Sequence, residues 1–347
     1  MIRTPSSNKL IIVMMLVLLL ALLLANLFQG SVKIPMMTVL GVLGESLGME
    51  STQEGMRPWM HSVLIDVRMP RILVGAMAGA CLAICGTVMQ GMFRNPLASP
   101  SILGVSSGAS LGAVIALYFG LASISVWALP AFASLGACLT LFVVYRVASQ
   151  RGHLAIGTLL LSGIAIGALN AAASSLILAL SLNNWDVGRM IVYWTMGGLD
   201  GRTWDHVLLL TPVACTGILL LLFFAKNLDA LLLGEIHAAS VGIDVAKTRR
   251  QLLVISSLLV GVTISVCGGI GFIGLIVPHI LRLILGPHHR YLLPASALGG
   301  AICLVSADLV LGIFVKDNSV PLGVVTAMLG APFFLFLLIK QRWFIQL

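Results

Sequence analysis

Residues 68–112, RMPRILVGAMAGACLAICGTVMQGMFRNPLASPSILGVSSGASLG, decide how the whole chain is read. Arg68 and Arg71 bracket Pro70 at the mouth of a long apolar run. That run stops at a polar turn, Arg94-Asn95-Pro96, and a second follows with glycine at every fourth position: Gly104, Gly108 and Gly112. Two hydrophobic helices joined by a tight, charged, proline-broken loop mark a polytopic membrane protein. Small residues spaced by four let helix backbones approach closely inside a bilayer, where packing rather than expulsion of water holds helices together.

Composition agrees. Hydrophobic residues make up 59% of the 347 and charged residues 9%, with a mean hydropathy of +1.08. Soluble domains carry about 25% charge, which excludes that class here. The net charge of +8 would suggest nucleic acid in a soluble protein. Here the basic residues flank apolar spans, so positive-inside topology accounts for them and no nucleic-acid partner is expected. Cys81, Cys85, Cys138, Cys215, Cys267 and Cys303 all lie in apolar runs. No His or acidic residue stands near Cys81 and Cys85 to complete a metal site, so they read as small packing residues. Arg3 and Lys9 precede the run Leu10 to Leu24, and no A-x-A cleavage signal follows, so this run is expected to stay as a first helix.

The fold expected is all-α: one transmembrane domain over 1–347 with about ten spans, at roughly 20 apolar residues each. They fall near 10–28, 71–92, 101–119, 125–146, 155–181, 206–225, 251–268, 272–285, 293–313 and 321–340. Ten spans place both termini on one side. Most of the 20 Lys and Arg, including Arg94, Lys226, Arg249, Arg282 and Arg342, then share that side, which predicts cytoplasmic termini. Three connections are long: an outer segment at about 29–70, a second at about 182–205 rich in Trp and Asp, and a cytoplasmic one at about 226–250.

Polar groups within spans are few. Asp308 is the notable ionisable one, and such a residue either lines a watery vestibule or hydrogen-bonds a neighbouring helix. Gln90, Ser162, Asn170, Ser174 and Ser175 read as interhelical hydrogen-bonding groups. Arg94-Asn95-Pro96 reads as a cytoplasmic turn with Arg94 at the lipid surface. Pro278, His279 and Arg282 share one stretch, with His288 and His289 beyond; structural or partner-contact roles are favoured over a metal or haem site. The stretch GIDVAKT, Gly242 to Thr248, is similar to a phosphate-binding loop but has Ala246 where glycine must precede the lysine. The chain is therefore not expected to bind ATP.

Five blocks occur in one order: RMPRILVG, GTVMQGMFRNPLASPSILGVSSGASLGA, LLLGEIHAASVGIDV, GGIGFIGLIVPHILR with HHRYLLPASALGGA, and VPLGVVTAMLGAPFFLFLL. Together, over about 68–340, they resemble the membrane permease of binding-protein-dependent ABC importers for iron-siderophores, haem and vitamin B12, the FecCD-type family. The resemblance implies a type II importer fold of ten helices that dimerises with a second copy or a close paralogue. It implies two ATP-binding subunits, carrying ATP and Mg, on the cytoplasmic side. It also implies a periplasmic or lipid-anchored substrate-binding protein outside, and the inner membrane of a prokaryote as the location.

The same resemblance implies residue roles. The segment after the sixth helix becomes the coupling element for the ATPase, with Gly234, Glu235, Ala238, Ser240 and Gly242 at its coupling positions. Arg68 and Arg71 become docking residues for acidic groups of the binding protein, although each could instead anchor a helix end by snorkelling. Ile156, Gly157 and Thr158 become the cytoplasmic gate. The chain departs from the family pattern at Gly312 and Ser319, where an arginine and a glutamate are usual. Lys316 is the candidate replacement for that docking arginine.

The function expected is import of a ferric siderophore, haem or cobalamin by alternating access, with no chemistry and no cofactor on this chain. An oxyanion is a further candidate cargo. The alternative is an ion-gradient-driven secondary transporter, which expects paired carboxylates near the midplane. Only Asp308 lies securely inside a span, which argues against it. A membrane-embedded enzyme lacks any paired-carboxylate or His-rich cluster.

Overall fold

A computed structural model describes residues 5–30, 32, 34–46, 58–150, 153–154, 156–315 and 320–345. The helices in chain order are α1 Pro5–Phe28, α2 Met36–Ser46, α3 Pro58–Phe93, α4 Val105–Tyr118, α5 Ala128–Ala148, α6 Ile156–Ser181 and α7 Trp185–Met196. Then come α8 Trp204–Phe223, α9 Ala225–Leu232, α10 Glu235–Ser240, α11 Val245–Cys267, α12 Ile273–Leu285, α13 His289–Phe314 and α14 Leu322–Ile345. A two-residue antiparallel pairing of Ser149–Gln150 with His153–Leu154 is the only sheet among the described residues.

Among the described residues seven helices are long and apolar enough to cross a membrane, and Val105–Tyr118, Ile273–Leu285 and Leu322–Phe336 are shorter apolar helices. These ten match the ten expected spans one for one. At 1.5 Å per residue, α4 and α12 are about 20 Å long, short of a hydrocarbon core of about 30 Å. Irregular backbone completes both. Turns over residues 95–104 precede α4, and the break Gly268–Phe272 precedes α12. Such backbone survives at membrane depth only where other protein groups satisfy it. Here the Gly198 amide donates to the Cys267 carbonyl at 2.8 Å and the Gly323 amide to the Gly197 carbonyl at 3.0 Å.

The outer connection differs from expectation. It contains the surface helix α2, but residues 58–70 belong to α3. Val63–Arg68 is wound as a π-helix, directly before Pro70, whose ring removes an amide and crowds the preceding turn. His61, Asp66, Arg68 and Arg71 interrupt the apolar pattern there, which is why hydropathy alone stops the span at residue 71. The connection at 182–205 holds α7, capped by Asn184, whose side chain accepts from the Val187 amide. The one at 226–250 holds α9, α10 and the first turn of α11.

Helix α3 is the axis of the molecule, with α1, α8, α11, α12 and α13 packed around it. The approach is glycine to glycine. A Cβ on Gly79 would overlap the Gly300 carbonyl of α13, and one on Gly86 would overlap the Gly274 carbonyl of α12. The spaced glycines behave likewise: Gly108 and Gly112 lie against the Gly136 and Phe132 carbonyls of α5. Gly104 differs, because it stands at the N-cap of α4 with φ 74. Polar groups add the expected glue. Asn170 on α6 donates to Thr140 on α5 at 3.0 Å and to Ser107 on α4 at 3.3 Å, and Gln90 donates to the Leu275 carbonyl at 3.0 Å. Ser162 and Ser174 instead bond back to carbonyls of their own helix.

Because backbone, not a movable side chain, faces Gly86, Gly86→Ala is expected to lower stability by about 2 kcal/mol or more. Thermal unfolding of the detergent-solubilised protein checks this, and an unchanged midpoint would remove the claimed contact.

Candidate functional site

Two regions at opposite ends of α3 gather the residues of interest. At the Arg71 end, Arg71 meets two carboxylates. Its Nη2 lies 2.8 Å from Oδ1 of Asp308 on α13, its Nε lies 3.2 Å from both Asp308 oxygens, and its Nη1 lies 2.5 Å from Oδ1 of Asp200. Asp308 is 7% exposed. Of its two expected states it adopts the paired one, which offsets the cost of a charge at that depth. It also lines a cavity of about 110 Å³ shared with Arg68, Arg71 and Gly312. Among the described residues nothing lies within 4 Å of a Cβ built on Gly312, the position where the family pattern has an arginine.

Arg68 corrects an expectation. It is 6% exposed and turned inward, its Nη1 donating to the Leu27 carbonyl at 2.5 Å and its Nη2 to the Val32 carbonyl. The guanidinium closes the end of α1 rather than displaying charge on a rim. Snorkelling does not describe it either, since the head is inside. Lys316 and Ser319 lie outside the described residues. Arg202, nearby in the loop before α8, has a pKa lowered by burial.

At the opposite end, α9 and α10 form the segment expected to couple. Gly234, at φ 117, breaks the two short helices apart, and Gly242, at φ 86, closes the second. Both conformations suit glycine. Ala238 is fully buried, so small size there serves packing beneath α10. Glu235 pairs with buried Arg249 of α11 at 2.8 Å. Ser240 is exposed and donates to the His237 carbonyl at 2.8 Å. Asp244 caps α11 by accepting from the Lys247 amide at 2.9 Å. The segment displays Ile236, 89% exposed, with Leu233 and Val241 beside it.

Three residues escaped the sequence reading. Ile236 hid because one apolar residue among small ones carries no pattern. Asp200 hid because its partner is 129 positions away. Asp229 of α9 accepts from both the backbone amide and Nδ1 of His289, each at 2.8 Å. Burial raises the Asp229 pKa, but the hydrogen bonds from His289 outweigh it and hold the carboxyl below its ordinary value. Gly91 makes room: a Cβ there would overlap the His289 ring.

The gate candidates are placed only in part. Gly157 is exposed, Thr158 is half-buried, and the side chain of Ile156 lies outside the described residues. At the polar turn, Arg94 takes the left-handed conformation, φ 50, and the Asn95 side chain accepts from the Leu97 amide at 2.9 Å.

The bundle thus carries an ion cluster at one end of α3 and a short two-helix segment at the other. The FecCD transport family model matches residues 18–340. A cobalamin import system permease protein, BtuC of Halobacterium salinarum, is 46% identical over 286 residues, covering 82% of this chain and 76% of its own. A hemin transport system permease protein, HmuU of Yersinia pestis, is 38% identical over 82% of this chain and 85% of its own. A solved inward-facing structure of a transporter assigned to the metal-chelate ABC type superposes with TM-score 0.82 at 30% identity, covering 96% of this chain and 99% of that one. The chain belongs to the FecCD transport family. It is a multi-pass permease subunit of an ABC importer, a transport component rather than a catalytic enzyme.

Breaking a buried ion pair by neutralising one member leaves the other uncompensated, at about 3 kcal/mol or more. Arg71 keeps Asp200 when Asp308 is neutralised, whereas Asp308 has Arg71 as its ion-pair partner among the described residues, so Arg71→Met is expected to destabilise by that order and adding Asp308→Leu to recover most of it. Tryptophan-monitored unfolding in detergent measures both; a silent Arg71→Met would show that the pair contributes nothing.

Proposed function

We propose that the chain is one half of a dimeric importer that moves a bulky metal chelate, a ferric siderophore, haem or cobalamin, into a prokaryotic cytoplasm. Both termini and the α9–α10 segment face the cytoplasm in this reading, two ATPase subunits dock there, and a substrate-binding protein docks at the Arg71 end. The observation that carries the reading is the α9–α10 segment. It exposes Ile236 beyond the last turn of α8 while anchoring itself rigidly through Glu235–Arg249 and Asp229–His289. A segment that is apolar outward and fixed inward can transmit the push of a partner. Docking of the binding protein rests on Arg71, the more accessible of the two arginines. Helix α6 leaves Leu161, Ile164, Leu169 and Leu176 exposed, a face that a second copy could bury. ATP and Mg belong to the partner subunits.

Two relatives named for cobalamin and hemin make a metal tetrapyrrole the first cargo to test. The full complex in proteoliposomes, with ATPase and binding protein, is expected to accumulate cobalamin or haemin only when ATP is supplied. Uptake by the permease alone, driven by an ion gradient, would overturn the reading in favour of a secondary transporter.

Ile236→Asp is expected to reduce ATPase association at least tenfold, since it buries an unpaired charge in the contact. Co-purification of the ATPase with the variant checks this. Undiminished association would remove Ile236 from the interface.

A further inference from the structure

Near the base of α9, a cavity of about 310 Å³ lies between the C-terminal turns of α3 and α12. Its polar lining is Gln90, Arg94, Asn95, His279 and Arg282. No carboxylate lines it, and Asp229, whose charge also reaches Arg282, is already held by His289. Neither Arg94 nor Arg282 forms an ion pair among the described residues. Two cations therefore face one concavity with no carboxylate in its lining and no direct ion pair among the described residues.

The bland account is that both arginines complement the negative ends of their helices. The geometry does not bear this out for Arg282. Its Nε and Nη2 are buried and hydrogen-bond to nothing among the described residues, so they cap no carbonyl of α12, whose Arg282 carbonyl already accepts from the Gly286 amide at 3.0 Å. In the last turn of α3 the Gly91 and Gln90 carbonyls are taken by the Arg94 and Asn95 amides. Arg94 is moreover held in a left-handed backbone conformation that a β-carbon disfavours. An exposed arginine and one with two unpartnered buried nitrogens thus line the same space.

We propose that this cavity binds a phosphate group, with Arg94 and Arg282 as the charged contacts and His279 as a further polar one. Guanidinium groups match phosphate oxygens in pairs, and basic pockets between membrane helices suit phospholipid headgroups. Two sources share the chemistry: the headgroup of an anionic phospholipid and a soluble phosphate. The lipid is the nearer, because Leu283, 73% exposed, and Ile284 of α12 present an apolar surface beside the opening. Leu232 of α9 also lines the cavity, so a bound phosphate would tie the coupling segment to α12.

The test uses the full chain in nanodiscs and does not require transport, so it stands or falls apart from the cargo reading. Phosphatidylglycerol in a phosphatidylcholine disc is one probe, and inorganic phosphate added to a pure phosphatidylcholine disc is the other. At least one is expected to raise the thermal midpoint of the natural protein. Apparent affinity should fall about fivefold in Arg94→Gln, and about 25-fold when Arg282→Gln is added. Arg290→Gln, outside the cavity, should leave it unchanged. Should the double variant fail to fold, Arg94→Gln alone, read against charge-keeping Arg94→Lys, carries the comparison. Protection by phosphatidylglycerol alone assigns the site to lipid, and protection by phosphate alone to a solute. No protection by either probe, or protection that survives loss of the arginines, overturns the proposal.

Discussion

The backbone contact between Gly79 and Gly300 is the constraint on which the rest of the structure depends. Inside a bilayer apolar side chains gain little by leaving lipid for protein, so helices associate through close packing and hydrogen bonds. A Cβ on either glycine would overlap the carbonyl of the other. The same α3–α13 seam carries Arg71–Asp308 toward one end and Gly91–His289 toward the other. Separate the seam by the width of a methyl group and neither contact keeps its geometry. The glycines thus position charges that lie several turns away from them.

That seam also explains the division between the two arginines that open α3. They are three residues apart, yet one is spent on the carbonyls of Leu27 and Val32 and the other on Asp308 and Asp200. The π-wound turn ends between them, changing the rotation that a regular helix would give. It also sets the Ile65 carbonyl as acceptor for the Trp204 indole at 3.0 Å, which ties α8 to the same turn. One local irregularity therefore sorts a structural cation from an accessible one.

The opposite end is organised by the need to hold a short segment firmly outside the hydrocarbon. Helices of eight and six residues are not stable by themselves. Asp229 fixes the first to the start of α13, and Glu235 fixes the second to α11. With both anchored, Ile236 is displayed on a rigid support. In the proposed importer that rigidity matters, because movement generated in a partner would enter the bundle through this contact.

Sequence by itself determined the class: all-helical, ten spans, and the blocks that mark a permease. It did so because apolar length and small-residue spacing are local properties that a bilayer forces on any chain crossing it. That Gly108 and Gly112 would pack closely was legible for the same reason, and Asn170, a polar group within a span, for its need of a partner; that the neighbour is α5 was not. Only the tertiary structure decided which charges meet. Asp308 could have faced water or a neighbour, Arg68 could have faced a partner, and nothing local distinguished these outcomes. Asp200 and Arg71 stand 129 residues apart in the chain and 2.5 Å apart in space. Such a pair exists only because glycines elsewhere allow the helices to close, and no pattern confined to one segment records that.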